Sequence, residues 1–284
     1  MKRALGLALA ALVVFAAVGA LTFPTDAVVR GALDRIPLPD RMTLAFTSAH
    51  LRPNGLRLDD VHIVRADGNP AFDATSLRLR PSLWGFWRDR TGRPWVIAAE
   101  TCQGTIEVTV EGTPQATPVS VKLEHVELGT CLPYVFRQID AYGRVDGTFA
   151  IDVGTTDPRT STGALQLRGA AWTPGGPFED TRLRADAGSL EWKLADNRLE
   201  VTKLEATGQD FEATGGGIVT VVSPIDDSRL DLRIAITPGP TMPPLLRRYF
   251  DAIAGAAPDQ HGTRTFRIQG ALRDPRIVAA GRFP

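Results

Sequence analysis

Cys102 and Cys131 are the only two thiols in this chain of 284 residues, and their types and spacing limit the chemistry available to them. A pair so far apart lacks the Cys-x-x-Cys spacing of redox centres and supplies too few ligands for a structural zinc site. The reading that remains is one intramolecular disulfide, set against two unrelated buried thiols. Such a bridge would close a loop of about 30 residues and add on the order of 3 kcal/mol, chiefly by restricting the unfolded chain.

Other reactive side chains form no convincing active site. His50, His62, His125 and His261 stand apart, with no His-x-His or Glu-x-x-His spacing to bring two ligands onto one face. No Gly-x-Ser-x-Gly occurs, so the strand-to-helix elbow of an α/β hydrolase has no candidate. Gly215-Gly216-Gly217 runs into Ile-Val-Thr-Val-Val, a strand signal, whereas a phosphate loop needs a helix N-terminus there, so a turn or bulge is expected. Asp59-Asp60 and Asp226-Asp227 fit no spaced ligand loop and suit turn chemistry. The expectation is a non-enzymatic protein with no cofactor and no metal.

Trp84, Phe86, Trp87 and Trp95 form the one aromatic cluster, interleaved with Arg88, Arg90 and Arg93. Such a mixture can stack bases, sit at a membrane interface or anchor a protein contact, and it can equally plug the end of a sheet. The balance of 32 basic against 32 acidic residues gives no net field toward nucleic acid. A lipid or protein contact and a structural plug remain as the two readings.

The elements that must position these residues are strands. Leu77 and Leu79 alternate with Arg78 and Arg80, Ile106, Val108 and Val110 with Glu107 and Thr109, and Leu230, Leu232, Ile234 and Ile236 with Asp231 and Arg233. The same period recurs through Val119 to Leu123, Phe149 to Val153, Leu190 to Leu194 and Phe266 to Ile268, which predicts roughly a dozen half-buried strands. A loose theme of strand, Gly-containing turn and strand recurs at Gly143 to Phe149, Leu204 to Ile218 and Gln269 to Leu272, as meandering hairpins would give. Helical spacing appears twice, over Pro133 to Tyr142 and over Pro243 to Ala254, and both segments are expected to cap the sheet.

Ala4 to Phe23 carries no charge and follows Met1-Lys2-Arg3. A helix of that length spans roughly 30 Å, the thickness of a bilayer core. Residues 1–24 are therefore expected to anchor the chain, with residues 25–284 forming a β-rich domain beyond the membrane by the positive-inside rule. A cleaved export signal is the alternative, since Val18-Gly19-Ala20 has the small residues a signal peptidase accepts.

Several stretches together carry a resemblance. The membrane segment ending in Phe-Pro, Gly55-Leu56-Arg57-Leu58-Asp59-Asp60-Val61 and Leu77-Arg78-Leu79-Arg80-Pro81-Ser82-Leu83 are similar to the type II secretion system protein N family (GspN). Cys102-Gln103-Gly104-Thr105-Ile106 stands where that family shows a Gly-Gly turn, with one glycine kept. Phe266 to Ile277, with Gly270-Ala271-Leu272-Arg273-Asp274-Pro275, resembles the closing segment that the family shares with AsmA-like proteins. The resemblance implies an all-β fold: an N-terminal transmembrane helix followed by a curled, mostly antiparallel sheet, open as a groove, with one or two capping helices. It implies an inner-membrane, single-pass protein with its bulk in the Gram-negative periplasm, an accessory or assembly component whose partners are other type II secretion components. The wider AsmA-like group implies the alternative, a groove that binds or transfers phospholipid.

Overall fold

The computed structural model describes residues 25–33, 42–52, 54–81, 95–111, 116–135, 141–154, 160–173, 182–222, 227–254, 258–260 and 262–279. The proposed membrane segment, Trp84, Phe86, Trp87, Asp226 and His261 lie outside them. Among the described residues no helix is long and apolar enough to cross a membrane.

Period-2 alternation becomes one antiparallel sheet. Its strands are β1 (Thr43–Ala45), β2 (Ser48–Arg52), β3 (Gly55–Val64), β4 (Pro70–Pro81), β5 (Trp95–Thr101), β6 (Gly104–Val110), β7 (Ala116–Glu127), β8 (Ala141–Gly154), β9 (Thr160–Trp172), β10 (Leu183–Ala195), β11 (Arg198–Thr207), β12 (Phe211–Thr220), β13 (Arg229–Pro238), β14 (Arg264–Ala271) and β15 (Asp274–Ala279). From β3 onward each strand bonds its neighbour in sequence, while β1 and β2 share the outer edge of β3. The sheet is open: among the described residues β15 bonds only β14.

Three helices accompany it: α1 (Thr25–Leu33), α2 (Leu128–Val135) and α3 (Pro244–Ala254). α3 lies within one residue of its expected start. α2 does not, because it begins at Leu128 and Ala141–Tyr142 already belong to β8. The apolar i, i+3, i+4 period starts at Leu128, Cys131 and Leu132, so Pro133 falls inside the helix and marks no first turn. The Gly143 to Phe149 stretch is likewise no hairpin: it lies within β8, and Gly143, at φ 129°, sits at an irregularity in the pairing with β9. Gly215 and Gly217 lie inside β12, opposite a register shift in β11 between Val201 and Leu204.

Two packed cores sit toward one end of the strands. Leu58, Val61, Ala74, Ala99, Phe46 and Ala49 form the first, with Val29 of α1 against it. Ala170, Leu183, Ala185, Phe211 and Ala213 form the second, covered by Met242 and by Leu246 of α3. α2 lies at this same end, beside the β5–β6 turn. The other end, with the β10–β11 turn at Asp196-Asn197, the β2–β3 turn and the β14–β15 turn, carries no α-helix among the described residues.

Candidate ligand-binding face

Register turns the alternation into continuous rows. Leu51, Leu56, Leu79, Ile97, Val108, Val121 and Phe149 stand directly opposite one another on successive strands, and the row continues through Gly163, Trp192, Val201, Gly217, Leu232, Ile268 and Ile277. At about 4.8 Å per strand, these thirteen steps cover roughly 60 Å. A second row, from Ala49 and Leu58 through Leu123, Leu165, Leu190 and Leu204 to Ile234 and Phe266, runs beside it.

The opposite face carries His50, Arg57, Arg78, Glu107, Lys122, Thr148, Glu191 and Lys203 in the same cross-strand order. Many of its charges are paired. Arg78 meets Glu100 at 2.7 Å, Lys122 meets Glu124 at 2.6 Å, and Arg267 grips Asp231 through two bonds of 2.7 and 2.8 Å. The hydrogen bond from Arg267 holds the Asp231 carboxyl below the usual aspartate range, and the one from Arg57 does the same for Asp59. This face is a solvated exterior.

The apolar face changes character along the strands. At the capped end Leu58, Leu246 and Leu183 are buried. Toward the open end Leu190, Trp192, Leu194, Leu199, Leu232 and Ile268 are only half-buried, and Trp95 and Leu51 are exposed at 47% and 67%. Val121 and Val201 of the first row are buried, so the carbon surface left part-open is interrupted rather than continuous.

Glycines shape this face. The Trp192 ring lies across β9 over Gly163, where a Cβ would come within 2.2 Å of the indole, and packs on Phe149 at 6.0 Å between ring centres. Nearer the caps, Gly188 leaves an opening between Leu167 and Ala206. There a hollow of 280 Å³ is lined by Leu128 of α2, Val145, Leu165, Leu167, Leu190, Leu204 and Ala206, almost wholly through carbon atoms.

Cys102 and Cys131 are bonded, with Cα atoms 5.3 Å apart. Cys102 and Gln103 form the β5–β6 turn at φ 52° and 58°, a left-handed conformation that costs non-glycine residues of order 1 kcal/mol or more each. The disulfide and the bond from Glu127 N to Cys102 O, 2.9 Å, hold that turn against α2. The other face of Gly129 meets the Tyr142 ring, so α2 is gripped from two sides.

The remaining candidates stay dispersed. His50 pairs with Asp59 at 3.3 Å, His62 with Asp73 at 2.6 Å and His125 with Asp146 at 3.7 Å, on three separate strand pairs. Asp60 is exposed, and Asp227 pairs with Arg273 at 3.1 Å. Among the described residues no group of three His, Cys, Asp or Glu side chains could hold a metal ion. Of the aromatic cluster, Trp95 is on the apolar face at the open end, opposite Pro81 and Val110. The lining residues Trp192 and Leu190 were legible as strand residues, but the glycines that shape the face have no signal without register. Compared with known proteins, the chain matches no family model, no curated protein and no solved structure.

Proposed function

We propose that this is a non-enzymatic protein of the Gram-negative envelope, anchored in the inner membrane, whose periplasmic sheet binds phospholipid acyl chains along its apolar face. The observation that carries this reading is the apolar face built from those two cross-strand rows, capped by helices at one end of the strands and left half-buried toward the other. A peptide would be a poor occupant. Its N–H and C=O groups need partners roughly every 3.5 Å, and the face offers carbon.

The orientation of α1 supports the membrane side of the reading. Asp26 Oδ1 accepts from Ala49 N at 2.6 Å, while Arg30 Nη2 donates to Phe46 O at 2.8 Å and its guanidinium lies 4.4 Å from the Phe46 ring centre. Ala49 is nearer the open end than Phe46, so the N-terminus of α1 points that way. The uncharged run precedes α1 in sequence, which supports a reading with the open end of the face toward the bilayer.

Native mass spectrometry of the full chain released from detergent tests the proposal. Near-stoichiometric co-purified phospholipid is expected, and a spectrum of bare protein at every detergent concentration would overturn it.

A second reading, an accessory component of a type II secretion machine, draws on the resemblance and on one observation. β15 ends the sheet with Ile277 and Val278 exposed at 48% and 40%, an edge that another strand could extend. A photoreactive residue at position 278 is then expected to crosslink to a secretion component in cells carrying the machine.

A further inference from the structure

The half-open face is not uniform, and a carbon-lined hollow lies in it between the parts covered by α2 and by α3. Leu167 and Ala206 pack against the core under α3, and the same two residues line the hollow whose far side is Leu128 of α2. Toward the capped end it is closed by that core. Toward the open end its floor, Leu165, Leu190 and Leu204, continues into the next cross-strand row, Gly163, Trp192 and Val201. The hollow is therefore a blind end reached along the apolar face.

We propose that this blind hollow seats the terminal methyl end of a single acyl chain, and that the Cys102–Cys131 bond keeps it in place by fixing Leu128 as a wall. The inference rests on the reading of the face as a phospholipid site and adds the direction of the chain and the residues that hold its tip. Three observations converge. The lining is carbon, so a headgroup has no partner there. The volume of 280 Å³ lies just below the roughly 300–1,000 Å³ of pockets that take drug-sized ligands, enough for a segment of chain but not for a whole lipid.

The third is the wall itself. Leu128 is the first residue of a helix of eight, too short to hold its own position in water. What fixes it is covalent: Cys131, three residues on, is tied to a β5–β6 turn that lies across three intervening strand pairings from the hollow's floor on β9. Without that bond α2 keeps its packing on β8, β7 and β4, which includes the Gly129–Tyr142 contact, and the short polar bonds around Glu127, but loses its covalent tie to the β5–β6 turn. The bridge thus links an oxidising compartment to retention of the ligand.

The test uses the full chain in detergent and a phosphatidylethanolamine carrying a diazirine either at the terminal carbons or near the carboxyl of one palmitoyl chain. Terminal-probe crosslinks are expected in the Leu165–Leu167 and Leu204–Ala206 peptides, and carboxyl-side crosslinks near Trp95 or Leu232. Gly188→Leu and, independently, Ala206→Leu fill the hollow and are expected to lower bound lipid at least tenfold with the fold kept. Cys131→Ser is expected to speed lipid loss without abolishing binding. Reversed or evenly spread crosslinks, or unchanged occupancy in both filled variants while the native chain still binds lipid, would overturn the inference and leave the broader reading standing. A native chain that takes up neither probe would overturn both. If the filled variants fail to fold, the crosslink positions in the native chain decide.

Discussion

The two ends of this sheet are built from the same alternating strands yet differ in what lies over them. At the capped end Leu58 and Leu246 are each 2% exposed, and the apolar rows are finished by α1, α3 and small residues such as Ala74, Ala99 and Ala185. Toward the open end the apolar face carries larger side chains, Leu232, Ile268 and Trp192, and these are only half-buried. Packing is therefore divided along the strand axis: one end supplies a core, and the other keeps the part-open carbon surface on which the proposed binding relies.

That division can be broken by measurement. Leu58→Ala removes a fully enclosed side chain and is expected to cost about 2–5 kcal/mol in denaturant unfolding. Leu232→Ala, at the open end, is expected to cost about 1 kcal/mol or less, because much of that side chain is already in water. Equal costs would mean that both ends are core and that the contrast is false.

Next in size is the bridge between α2 and the β5–β6 turn. Cys131→Ser opens a loop of 29 residues' separation and is expected to lower stability by about 3–4 kcal/mol on the loop-entropy estimate. A loss well below 1 kcal/mol would show that α2 is held by its neighbours alone. The sharper discriminator is function: Leu232→Gln should reduce bound phospholipid severalfold while the melting temperature stays within a few degrees.

Acid should have the smallest effect. Arg57 and Arg267 hold Asp59 and Asp231 below the usual carboxyl range, so their contribution is complete above the unfolded aspartate pKa of roughly 3.9 and is lost as pH falls through the lower folded values. The melting temperature is expected to stay level from about pH 8 to pH 5 and to fall only below about pH 4. A fall already present near pH 6 would point to groups other than this pair, and to an exterior less neutral in its effect than proposed.

Much of the fold is legible before any coordinates, because a strand with one wet face writes its period directly into residues such as Leu230, Asp231, Leu232 and Arg233. Pro243 to Ala254 was equally plain, since Leu246 and Phe250 lie four apart on the face that packs. What could not be read is pairing. Gly163 matters because Trp192 is its cross-strand partner, and Gly188 because Leu167 and Ala206 flank it, relations that register creates and sequence distance hides. Gly143 read as a turn and is a strand irregularity, because an isolated glycine permits both conformations and only neighbouring strands select one.

From β3 to β15 every strand bonds the one made just before it. Chain closure between neighbours therefore spans at most the 25 residues between β13 and β14, and no strand waits for a more distant partner to arrive. A polypeptide emerging N-terminus first can zip its sheet in order, hairpin upon hairpin, and the same logic lets evolution lengthen or shorten the array by a hairpin without rewiring anything already folded.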